Sequence, residues 1–125
     1  MKKLVLAAAF TAALAGPAFA KGPDHDHAAK HGGVFVEGKE ADYELVARAD
    51  VVQLYVNDHG RPLDLSNASA RLTLLSGVAK QEVELKPADG RLEAKGAFQV
   101  GPGTKAVAVV TRGGRTLGTA RFTLK

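Results

Sequence analysis

Tyr43 to Asp58 reads YELVARADVVQLYVND, and this stretch decides the fold. Apolar Tyr43, Leu45 and Ala47 alternate with Glu44, Val46 and Arg48. Val52, Leu54 and Val56 then alternate with Gln53, Tyr55 and Asn57. Successive side chains of a strand point to opposite faces, so a period of two marks strands with one buried face. Ala49-Asp50 lies between the two runs and predicts a tight hairpin, although it lacks the Asn-Gly or Asp-Gly pair that favours one.

The same rhythm continues downstream. NDHGRPLDLSNAS is turn chemistry, with Asp58 and Gly60 for the turn, Pro62 breaking any ladder, and Ser66 and Asn67 ending the connection. ARLTLLSG, AKQEVELKP, GRLEAKG, KAVAVVTR and TLGTARFTLK follow as strand-like runs. They are separated by Ser76-Gly77, Pro87-Ala88-Asp89-Gly90, Gly101-Pro102-Gly103 and Arg112-Gly113-Gly114-Arg115. Gly-Gly in a two-residue loop is a hairpin signal. No sustained helical apolar face follows Val34. The expected fold is all-β: a compact antiparallel β-sandwich of seven or eight short strands, immunoglobulin-like in topology, with a small barrel as the alternative.

Upstream of Val34 the composition changes abruptly. Residues 1–20, MKKLVLAAAFTAALAGPAFA, have a basic start, an apolar stretch from Leu4 to Ala15 and an Ala18-Phe19-Ala20 cleavage signal. The apolar run is shorter than the roughly 20 residues a membrane-spanning helix needs. The expectation is a cleaved signal peptide, export to a bacterial periplasm, and no membrane anchor after cleavage. Roughly 105 residues then remain, the common size of one domain. Residues 21–33 are expected to be a flexible leader, and residues 34–125 the β-sandwich domain.

Composition narrows the chemistry. There is no Cys, so the domain is held by packing rather than disulfides, and the single Met is Met1. Soft ions such as Cu(I) prefer thiolate and thioether ligands. Any metal site in the processed chain must therefore use imidazole, carboxylate and backbone groups, which suit Zn(II), Cu(II) or Ni(II). The formal charge of +4 includes Lys2 and Lys3, so the surplus after processing is about +2. Arg48, Arg61, Arg71, Arg91, Arg112, Arg115 and Arg121 are scattered over polar faces and turns. Edge-strand charges account for them, and no nucleic-acid partner is expected.

Three of the four histidines fall in KGPDHDHAAKHGG, Lys21 to Gly33. In an extended segment His25 and His27 face the same side, and a turn through Ala28-Ala29-Lys30 could bring His31 round. Asp24 or Asp26 could be a fourth ligand, or could orient an imidazole ring. The alternative is a soluble tail whose histidines have no role. A terminal Cu(II) or Ni(II) chelate needs His at the third position, which only two further residues of trimming would give. His59, in YVNDHGRPLD, is either a partner of the leader or a solvent-exposed turn residue. Catalysis has little support, with no G-x-S-x-G elbow, no H-E-x-x-H and no phosphate-loop spacing in Gly101-Pro102-Gly103-Thr104-Lys105. An enzyme is the second rival, which His59 beside a buried carboxylate in a cleft would revive.

HGGVFVEGKEADYELVARADVVQLYVNDHGRPLD resembles a small β-domain in the periplasmic adaptor subunits of heavy-metal efflux pumps, and free-standing metal-resistance proteins. The pattern is a His-Gly-Gly lead-in, an "ELVA" strand and a "YV-D-GRP" strand and turn over roughly Gly32 to Leu65. The resemblance implies a domain that helps handle metal ions, with His31 matched directly and His59 loosely. It also implies an envelope efflux component as a partner. The adaptor's hairpin and lipoyl-like segments are missing here, so the match would be to the accessory domain alone. The resulting expectation is a non-enzymatic periplasmic protein that buffers or carries a divalent transition ion. Its candidate ligands are His25, His27, His31, Asp24, Asp26 and His59. The rival expectation is an immunoglobulin-like module that docks on an envelope protein.

Overall fold

The computed structural model describes residues 29–125. It contains β1 (Val34–Glu37), β2 (Asp42–Ala47), β3 (Val51–Asp58), β4 (Arg61–Pro62), β5 (Ala68–Ser76), β6 (Ala79–Ala88), β7 (Arg91–Lys95), β8 (Lys105–Arg112) and β9 (Arg115–Thr123). All pairings are antiparallel, and the strands follow the order β1-β2-β3-β7-β6-β5-β8-β9, with two-residue β4 on the side of β3. The expected all-β antiparallel sandwich is what these residues form.

One long strand joins its two layers. β6 pairs with β5 from Ala79 to Leu85, then with β7 from Lys86 to Ala88. It leaves one sheet and enters the other within ten residues. At the far ends of the path β1 comes against β9, so the sheet nearly closes on itself. Closure of this kind hides strand edges that would otherwise invite aggregation.

The alternation read from Val51 to Asn57 is the alternation of burial. Tyr43, Leu45, Val52, Leu54 and Val56 point inward and meet Leu72, Leu74, Leu85, Leu92 and Val110 from the other strands. β8 and β9 are joined through Gly113 and Gly114, with φ of 62° and 80°. A two-residue hairpin of type I′ needs positive φ at both positions, where glycine carries no side-chain clash.

β2 departs from simple alternation. All of Asp42 to Val46 is buried, so the strand is covered on its outward face as well. Its inward-facing Tyr43 reaches across to β9, where a methyl group on Gly118 would overlap the Tyr43 hydroxyl. Burial raises the Tyr43 hydroxyl above its ordinary pKa of 10.0, and the charges of Glu40 and Asp42 raise it further. Tyr43 therefore stays neutral and packs as a core side chain.

That contact gives a stability test. Gly118→Ala should cost about 1–3 kcal/mol through overpacking. Combining it with Tyr43→Phe, which removes the hydroxyl, should restore part of the loss. Urea unfolding of the four proteins measures this, and an unchanged midpoint in Gly118→Ala would disprove the contact.

Candidate metal centre

Asp42 and Glu44 are two residues apart on β2, so both point to its outward face. They are 1% and 5% exposed. Buried carboxylates are costly unless paired or hydrogen-bonded. The chain meets that requirement differently at each position.

Glu44 is held by the segment before β1. The backbone N–H of Lys30 donates to Oε1 at 2.9 Å, and those of His31 and Gly33 donate to Oε2 at 2.7 and 2.9 Å. His31 Nδ1 lies 2.9 Å from Oε1, and its ring stacks on Tyr55 with centroids 3.6 Å apart and planes 2° from parallel. Burial pushes the Glu44 carboxyl up, but the N–H groups of Lys30, His31 and Gly33 and the His31 ring together bring it below its ordinary value of 4.5.

The His-Gly-Gly sequence permits this fold-back. Gly33 sits so close to β2 that a Cβ would overlap the Leu45 carbonyl and crowd Val46. Glycine alone fits this approach, and it brings the Gly33 N–H onto Glu44. The Glu44 carboxylate engages Nδ1 of the His31 ring, and Nε2 takes no part in that contact. A carboxylate behind the imidazole is the arrangement that orients metal-ligating histidines.

Asp42 meets a different set of groups. It is the direct cross-strand partner of Glu37 on β1. His59 comes from the turn after β3, with Nδ1 3.3 Å from Asp42 Oδ1 and Nε2 3.2 Å from the Lys39 carbonyl. One ligand atom from each of Glu37, Asp42 and His59 falls within 4.8 Å of the others. Both nitrogens of the His59 ring face acceptors. Nε2 faces the Lys39 carbonyl and Nδ1 faces the Asp42 carboxylate.

The backbone at this turn supports the placement. His59 has φ of 50° and Gly60 has φ of 93°. A left-handed residue other than glycine is uncommon and costs energy, although His is enriched there along with Asn and Asp. The turn aims the ring back at β2.

The structure thus brings His59 together with two carboxylates that sequence reading passed over, Glu37 and Asp42. His31 lies outside that group and is tied to Glu44 instead. The remaining expected ligands, His25, His27, Asp24 and Asp26, fall outside the described residues. Acidic residues at alternate positions in DYE were the available sequence signal. It is a weak one, because exposed strand faces look the same. Comparison with protein-family models, curated proteins and solved structures finds no match for this chain.

The Glu44 cradle predicts an acid-linked stability. A carboxyl with a lowered folded pKa contributes stability fully above its unfolded value, here about pH 4.5, and loses it as pH falls through the folded value. Glu44→Gln, which keeps the shape but loses the charge, should cost about 1–3 kcal/mol at neutral pH. The gap from the parent should close in acid. Urea midpoints taken from pH 7 down to pH 3 check this, and a gap independent of pH would contradict it.

Proposed function

We propose that this chain is a non-enzymatic periplasmic protein that binds a divalent transition-metal ion, as a buffer or carrier, through Glu37, Asp42 and His59. One observation carries the reading: two directly opposed carboxylates and an imidazole converge on one point. Like charges directly across a strand pair are destabilising. A divalent cation removes that repulsion and takes the position at Nδ1 that a proton would otherwise fill.

The donor set is two oxygens and one imidazole nitrogen, with no sulfur. It fits Zn(II), Ni(II) or Cu(II) rather than Cu(I). Three protein ligands leave coordination positions for exchange, as a carrier needs. His25, His27, Asp24 and Asp26 are proposed as auxiliary ligands on the sequence pattern alone. Metal efflux or resistance is the setting implied by the sequence resemblance.

Titration calorimetry with Zn(II), Cu(II) and Ni(II) tests the proposal on a chain starting at Lys21, its His59→Ala variant, and a chain starting at Gly32. The parent should bind at least one ion with a dissociation constant of about 1 µM or tighter. His59→Ala should weaken binding by about tenfold or more, since loss of a ligand exceeds the usual effect of losing a ligand's outer partner. The chain from Gly32 should retain part of the affinity. Millimolar binding by the parent would reject metal handling. Equal affinity in the parent and His59→Ala would reject this ligand set.

A further inference from the structure

The β8–β9 hairpin carries a charge arrangement that the metal reading does not use. Arg112 and Arg115 are direct cross-strand partners flanking the Gly113-Gly114 turn. Two cations placed opposite each other weaken a hairpin. Among the described residues neither guanidinium takes part in an ion pair. Arg112 Nε donates instead to a neutral acceptor, the Asp64 carbonyl, at 2.8 Å.

Two acids stand nearby. The Asp64 carboxylate accepts from the Ser66 N–H at 3.0 Å. Glu40 lines the same cleft as the arginines and acts electrostatically on Tyr43. Arg112, Arg115, Thr116, Leu117 and Glu40 line an open cleft of about 180 Å³. That is several times the ~30 Å³ share of one water molecule, so a small polyatomic ion fits.

We infer that this cleft binds a tetrahedral oxyanion of the phosphate or sulfate type, held by Arg112 and Arg115. A guanidinium presents a planar fork of donors that matches the oxygens of such an ion. As cross-strand partners, Arg112 and Arg115 start from the same face of the hairpin on either side of the turn, and both line the cleft. The anion also removes the repulsion that the register imposes. Oxyanion binding here would not require a metal at the carboxylates around His59.

The test uses the whole processed chain, dialysed free of metal, with amide spectra recorded during titration with sodium phosphate, sodium sulfate or sodium chloride at matched ionic strength. Phosphate or sulfate should shift the Gly113, Gly114 and Thr116 amides saturably, with a midpoint of about 1 mM or tighter. Chloride should not. Arg115 is exposed, so its variants should keep the fold. Arg115→Gln should weaken binding at least fivefold, and Arg115→Lys, which keeps the charge but loses the fork, should fall between. Without oxyanion, Arg115→Gln should melt higher than the parent. Linear shifts equal to those with chloride, unchanged binding in Arg115→Gln, or a lower melting point for that variant without oxyanion would each overturn the inference.

Discussion

The structure turns on two carboxylates, Asp42 and Glu44, carried side by side on the covered outward face of β2. A strand beside the core would ordinarily show water a polar face and keep its charges solvated. Here the charges are removed from water, and each must recover its lost hydration from groups the chain supplies. This requirement explains why two segments outside the main sheet path lie where they do. Lys30–Gly33 fold back because their N–H groups satisfy Glu44. The turn after β3 presents His59 to Asp42, which is opposed by Glu37.

Two turns of similar backbone show what His59 adds. Asp89-Gly90 and His59-Gly60 both have positive φ at both residues. Asp-Gly is a favoured pair for such a conformation because each residue tolerates it. His-Gly satisfies the same geometry with a residue less often used there. Turn formation alone does not call for an imidazole. Its contacts with Asp42 and the Lys39 carbonyl do, since they use both ring nitrogens.

The fold was legible because its determinants are local. Alternation from Tyr43 to Asn57 assigns inward and outward residues without knowledge of the partners, and Gly113-Gly114 marks its hairpin by itself. The Glu37–Asp42–His59 group was not legible, because it depends on register. Glu37 meets Asp42 only if β1 pairs with β2 in one particular alignment. A shift of one residue would turn the β1 side chains to the opposite face. His31-Gly32-Gly33 did attract notice as a potential ligand. The reason for Gly33 emerges only beside the Leu45 carbonyl, a contact between residues distant in sequence.

The position of the carboxylate group also bears on what an ion would do there. Structural metal sites are closed by four protein ligands, and small domains built on them fold only with the metal. This chain has a continuous apolar core, running from Leu54 and Leu92 through Leu72 and Leu85 to Val110 and Phe122. Glu37, Asp42 and His59 lie outside it, three candidate ligands among the described residues, and the His59 side chain is 41% exposed. An ion held there would neutralise opposing charges on an already packed scaffold, and it could leave without dismantling that scaffold. Under the proposed reading such an ion would be cargo rather than a structural cofactor. The sheet fixes Glu37 and Asp42, and the exposed His59 imidazole would be the ligand best placed to open the way out.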